Sequence, residues 1–167
     1  MKIQLKKGRD GPATLVCVRD DRSRTWGREH PFFPLHDLTH YAVECVLGFE
    51  HAFFGLIAAG WAIDDFAKPG AASRLPAQAI VAEHIVGVLD RERALPQPLS
   101  ADQFNENVSA SVRSLKDVPF QPVNASQLAE VHALRDRLQA QWHALPLGAT
   151  LEVAWQHPSL DRAQKLA

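Results

Sequence analysis

The chain has 167 residues and its charges nearly cancel, with 18 Lys and Arg against 19 Asp and Glu. This length fits one domain, and a hydrophobic content of 46% is sufficient for a buried core. The net charge of −1 and a sequence pI near 6.7 argue against nucleic-acid and membrane-surface partners, because both need a basic field. One feature is unusual: eight histidines stand against six lysines, although lysine is normally among the commonest residues.

The N-terminal and cysteine patterns favour a cytoplasmic protein. The first ten residues contain no apolar segment of the kind that a secretory signal needs. The longest apolar run, residues 52–63, has twelve residues and is too short to cross a bilayer. Cys17 and Cys45 are far apart and form no CxxC pair. We therefore expect reduced thiols and no membrane association.

The N-terminal residues 1–30 predict a three-stranded antiparallel meander. Ile3 and Leu5 alternate with polar neighbours, and the apolar, β-rich segment 13–19 lies between two clusters of turn residues. Residues 149–155 alternate in the same way near the C-terminus. This last strand is expected to return to the meander, because a lone strand leaves its backbone groups unpaired.

Residues 34–145 predict a mainly helical part with about four helices. The expected helices cover residues 35–61, 76–91, 100–115 and 124–145. Pro34 suits a first helical turn, and Ser100 and Asn124 each precede a glutamine by three positions, which is typical of a capping box. The prediction is one α+β domain over residues 1–167, in which a helical bundle packs on a small antiparallel sheet.

The first predicted helix carries a polar stripe opposite its apolar face. His36, His40 and Glu44 follow one another at intervals of four residues, so their side chains lie one helical turn apart. Two imidazoles and a carboxylate are suitable ligands for Zn²⁺, which we favour, or for Fe²⁺ or Mn²⁺. Asp37 lies on the same side and is the candidate catalytic base, or the group that orients a ligand imidazole.

The charge of this region favours a bound cation. Residues 29–67 contain six acids and four histidines but no lysine or arginine. A solvated helix face normally mixes charges of both signs. The alternatives to a metal site are a solvated polar face and a structural hydrogen-bond network.

The segment HDLTH, residues 36–40, resembles two known metal motifs. One is the HExxH motif of the zincin metalloproteases, with Asp in place of Glu and with no pattern for a third zincin ligand. The segment is also similar to the HDxxH motif of a ubiquinone-biosynthesis protein family, in which a Glu follows after eleven residues. Ala52 occupies that position here, and we assign the chain to neither family.

A further ligand is expected from the second predicted helix. Glu83 lies on its polar side and His84 on its apolar side, where a histidine is more often a core residue than a ligand. If this helix packs antiparallel to the first, either side chain would reach His36 and His40. Helical bundles build metal sites in this way, from side chains on facing helices.

Two functions are compatible with these residues. The first is a metal-dependent enzyme, a hydrolase of a small molecule, whose ligands come from His36, His40, Glu44 and either Glu83 or His84. The second is a non-catalytic binding or interaction protein, which forms a dimer through apolar helix faces and leaves its polar helix face in solvent. The sequence identifies neither a substrate nor a pathway.

Overall fold

The structure, a computed structural model, describes residues 1–29, 32–115 and 118–156. The strands are β1 (Lys2–Lys6), β2 (Ala13–Val18), β3 (Arg24–Glu29) and β4 (Thr150–Ala154). The α-helices are α1 (Phe33–Leu47), α2 (Phe53–Ala58), α3 (Ala77–Glu92), α4 (Ala101–Val112) and α5 (Ala125–Ala144). Two short 3-10 helices, Ile63–Ala67 and Ala72–Arg74, lie between α2 and α3. Within the described ranges, no helix combines the length and the hydrophobicity that a bilayer crossing requires.

The four strands form one antiparallel sheet in the order β3-β2-β1-β4. Ile3 pairs with Cys17 on one side and with Val153 on the other, which confirms the predicted return of the last strand to the meander. Ile3 and Leu5 of β1 and Leu15 of β2 are at most 1% exposed, so one face of the sheet packs against the helices. The predicted α+β class is therefore confirmed.

Helix α1 lies at the centre of the packing. Leu38 belongs to the hydrophobic cluster under the sheet, whereas Ala42 and Val43 belong to a second cluster with residues of α3, α4 and α5. The sheet, α2, α3 and α5 therefore surround α1, and its polar stripe is buried together with its apolar face. Asp37, His40 and Glu44 are 4%, 1% and 0% exposed, so this face is not solvated.

The first predicted helix, residues 35–61, is wrong in length. Gly48 has φ of 71°, the left-handed conformation that commonly ends a helix, and its N–H donates to the Glu44 carbonyl oxygen. The chain then turns and begins α2 at Phe53. A Cβ at Gly55 would collide with the backbone carbonyl of Glu50, so this tight return needs glycine there. The predicted length failed because the apolar pattern continues through a local break.

The two predicted capping boxes are confirmed. The hydroxyl of Ser100 accepts the N–H of Gln103 at 3.3 Å, and the Gln103 side chain accepts the N–H of Ser100 at 3.0 Å. Asn124 and Gln127 make the equivalent pair at 2.9 and 3.1 Å. These bonds satisfy backbone donors that a helix leaves free at its first turn, which explains where α4 and α5 begin.

Glu92, the last residue of α3, connects three parts of the helical layer. Its carboxylate accepts the N–H of Leu99 at 2.8 Å and a guanidinium N–H of Arg135 at 3.0 Å, and it lies 2.9 Å from Nε2 of His132. The side chain is only 3% exposed. Burial alone would raise the pKa of Glu92, but these three partners outweigh burial and hold the pKa at about 2.

We expect Glu92→Gln to lower the free energy of unfolding by about 2–4 kcal/mol at pH 7, because Arg135 then loses its buried counter-charge. The folded-state pKa lies below the ordinary value of 4.5, so the contribution of Glu92 is complete above pH 4.5 and is lost as the pH falls toward 2. Urea unfolding at several pH values measures both effects.

The exposed Glu130 of α5 supplies the control for this prediction, since Glu130→Gln should change little. The Glu92→Gln variant should also lose part of the acid dependence that the wild type shows. If the variant kept the full acid dependence, other carboxylates and not Glu92 would be its source.

Candidate metal centre

Helices α1 and α3 bring His36, His40 and Glu83 together. One donor atom from each side chain lies within 4.8 Å of the other two. Nε2 of His40 lies 3.3 Å from Oε1 of Glu83, and Nε2 of His36 lies 3.9 Å from Oε2. The two imidazole centroids are 4.7 Å apart, as the four-residue spacing on a helix dictates. Two imidazole nitrogens and a carboxylate so close together are able to bind one metal ion.

An acidic side chain lies behind each imidazole. Nδ1 of His36 lies 2.7 Å from Oδ2 of Asp90, and Nδ1 of His40 lies 3.7 Å from Oε1 of Glu44. The hydrogen bond to Asp90 favours a proton on Nδ1 of His36 and leaves its Nε2 lone pair for a metal, whereas Glu44 lies beyond hydrogen-bond distance and acts on His40 through its charge. Asp90 is itself held by Arg93, whose guanidinium lies 2.9 Å away. Both imidazoles therefore present Nε2 toward Glu83.

Glu44 does not lie where the polar stripe of α1 predicted a metal ligand. Its oxygens accept the backbone N–H groups of Phe54 at 3.1 Å and Gly55 at 3.0 Å, at the start of α2. It lies on the Nδ1 side of His40, and the donor group found among the described residues does not include it. Glu44 thus connects α1 to α2 and lies behind a candidate ligand.

Of the two candidates on α3, the structure brings Glu83 to the histidines. His84 is half-buried, and among the described residues it is not part of the donor group. Asp37 is buried and lines the same cleft as His36 and His40. Asp90 was not among the sequence-based candidates, although it follows Glu83 by seven residues, two helical turns, on the polar side of α3.

Of the other histidines in residues 29–67, the described one, His51, takes no part in this group. His51 lies in the exposed link between α1 and α2, because the helix on which it was placed ends before it. His30 lies outside the described ranges. The histidine-rich composition of this segment therefore supplies two donors from one helix, and α3 supplies the third.

The electrostatics of the group favour positive charge. Burial alone would lower the pKa of His40, but the carboxylates of Glu44 and Glu83 outweigh burial and raise the pKa to about 10. Burial would likewise raise the pKa of Glu83, and the neighbouring His40 and His36 hold it below its ordinary value. A proton on His40 and a bound cation are two ways to balance the surrounding carboxylates.

The donor group opens onto a cleft of about 430 Å³. Its described lining residues are Gly27, Arg28, Phe33, His36, Asp37, His40, Phe53, Ile63, Asp64, Phe66, Ala67 and Glu83. The Glu83 side chain is 52% exposed, whereas that of His40 is 1% exposed. One side of the group is therefore accessible from solvent and the other side is closed by α1.

Comparison of the chain with protein-family models, with curated proteins and with solved structures gives no match. The assignment of function therefore depends on the residues and geometry of this site.

We expect Glu44→Ala to lower the free energy of unfolding by about 2–4 kcal/mol, because the N–H groups of Phe54 and Gly55 lose their acceptor inside the protein. Urea unfolding followed by circular dichroism measures the change. The matched control is Glu106→Ala, at an exposed position of α4, with an expected effect within about 0.5 kcal/mol. Equal stability of the two variants would contradict a structural role for Glu44.

Proposed function

We propose that this protein binds a divalent transition metal through His36, His40 and Glu83 and uses it to hydrolyse a small molecule. The observation that carries the proposal is the approach of both Nε2 atoms to the Glu83 carboxylate, at 3.3 and 3.9 Å. Nδ1 of His36 is hydrogen-bonded to Asp90, the arrangement that orients histidine ligands in metalloproteins, and Glu44 lies 3.7 Å from Nδ1 of His40.

Zinc is the metal that we favour. Two histidines and one glutamate form a ligand set of catalytic zinc sites, in which the fourth position holds water or substrate. The same donors with several open positions suit Fe²⁺, and Mn²⁺ accepts carboxylate and imidazole ligands. The exposed side of Glu83 and the adjoining cleft support an open coordination position over a closed structural site.

Asp37 is the proposed general base. Its side chain is 4% exposed and lines the cleft beside His36 and His40, where a base would be within reach of a metal-bound water. A metal at the donor group would supply an activated water and polarise a substrate oxygen. Asp37 would then accept a proton within the cleft, while Asp90 keeps the His36 imidazole in orientation.

We expect the purified, zinc-equilibrated protein to contain about one zinc ion per chain, measured by elemental analysis after removal of free metal. His36→Ala, His40→Ala and Glu83→Gln should each reduce zinc affinity by about 100-fold or more, because three donors are needed to hold the ion. Titration calorimetry of the metal-free protein with zinc measures the affinity.

The matched control for these variants is His143→Ala, which removes an exposed histidine on α5 and should leave the zinc content unchanged. A wild-type protein that binds neither Zn²⁺ nor Fe²⁺ nor Mn²⁺ would contradict the proposal. The His40–Glu83 and His36–Asp90 contacts would then be a structural network.

We expect Asp37→Asn to retain zinc and to lose about 100-fold or more of its hydrolytic rate, because a general base contributes on this scale. The assay compares zinc-loaded variants on p-nitrophenyl esters and p-nitrophenyl phosphates. Asp64→Asn, at an exposed acid that lines the same cleft, is the control and should keep its activity. Zinc-loaded protein without any hydrolysis of the esters or phosphates would contradict the hydrolase assignment, though not metal binding.

A further inference from the structure

A row of aromatic rings begins at the candidate metal ligand His40. The Phe53 ring centroid lies 5.5 Å from that of His40, Phe66 lies 4.9 Å from Phe53, and Trp61 lies 5.2 Å from Phe66. Phe53 belongs to α2, whereas Trp61 and Phe66 belong to the segment that follows it. The three rings thus extend from the donor group, and Phe53 and Phe66 line the cleft.

A further aromatic ring of the cleft lies next to His36. The Phe33 ring lies 6.0 Å from His36, lines the cleft, and leaves the residue 46% exposed. Ile63 adds a further apolar side chain to the lining. An exposed aromatic surface beside a candidate metal centre is typical of a site that buries an apolar ligand.

The charges of the cleft disfavour an anionic ligand body. Asp37, Asp64 and Glu83 line it, and Arg28 is the one lysine or arginine among its described lining residues. Arg28 pairs with Thr14 across the β2–β3 ladder, whereas the inward position next to it belongs to Gly27, which pairs with the buried Leu15. Strand alternation places Arg28 at an outward, exposed position of β3, so this one cation of the lining is open to solvent, and three acids stand against it.

We infer that the substrate is a neutral acyl compound, whose carbonyl group meets the metal and whose apolar body lies along Phe53 and Phe66. This inference rests on the proposed function, since the metal defines where the carbonyl binds. A cleft of about 430 Å³ has the size of a small-molecule site. If the acyl compound is an ester, hydrolysis adds one water across the acyl C–O bond and releases a carboxylic acid and an alcohol.

Hydroxamates test this inference, because the hydroxamate group binds zinc while the organic group attached to it can be changed from one ligand to the next. The experiment titrates zinc-loaded protein with acetohydroxamate, hexanohydroxamate, benzohydroxamate and 4-carboxybenzohydroxamate by calorimetry. We expect hexanohydroxamate and benzohydroxamate to bind at least about tenfold more tightly than acetohydroxamate, since each buried methylene contributes about fourfold. The added carboxylate should remove the gain of benzohydroxamate.

Two variants test which aromatic side chains of the cleft contact the apolar body. Phe66→Ala should remove most of the gain for the longer ligands and leave the affinity for acetohydroxamate unchanged. Phe33→Ala, at an exposed position where folding is not at risk, should reduce the gain as well. The control is Trp26→Ala, which removes a 58% exposed aromatic residue whose strand position lies outside the cleft lining.

The zinc content of every sample separates the two proposals. Protein that holds zinc but binds all four hydroxamates with equal affinity, or binds the carboxylated ligand most tightly, overturns the inference about substrate and leaves the metal site standing. Protein that holds no zinc overturns the proposed function itself. An unchanged preference in both phenylalanine variants would also overturn the placement of the apolar body.

Discussion

The burial of His40 between two carboxylates is the interaction on which the rest of this site depends. The imidazole is 1% exposed and has Glu44 on its Nδ1 side and Glu83 on its Nε2 side. Moving such groups out of water is costly unless their charges are balanced, so α1, α2 and α3 must keep their relative positions. Glu44 extends the same constraint to the backbone at the start of α2.

This constraint explains why one helix serves both the core and the candidate site. The apolar face of α1 packs against the sheet and the neighbouring helices, and its polar face meets α3, the start of α2 and the cleft. His36 and His40 are therefore held on a rigid element, with Asp90 and Glu44 behind them. A donor group with supported imidazoles loses little freedom when it binds an ion, which favours tight coordination.

The break after α1 has a consequence for the cleft as well. Because the chain turns at Gly48, α2 returns alongside α1, and its first residue Phe53 stacks near His40. A continuous helix through residues 35–61 would have carried these aromatic rings away from the histidines by about 1.5 Å per residue. The apolar lining of the cleft thus depends on the same turn that Glu44 stabilises.

The sequence by itself determined the four strands, the helices α3 to α5, the α+β class and the histidine pair, because alternation, capping boxes and four-residue spacing are local patterns. Residues 29–67 also contain six acids and no lysine or arginine, the pattern from which a bound cation was predicted. Only the tertiary structure decided that Glu83 faces the histidines, that Glu44 lies beside His40 and binds the α2 backbone, and that Asp90 hydrogen-bonds to His36. These outcomes depend on how α3 packs against α1 and where α1 ends, and helical spacing within one segment carries no information about its neighbour.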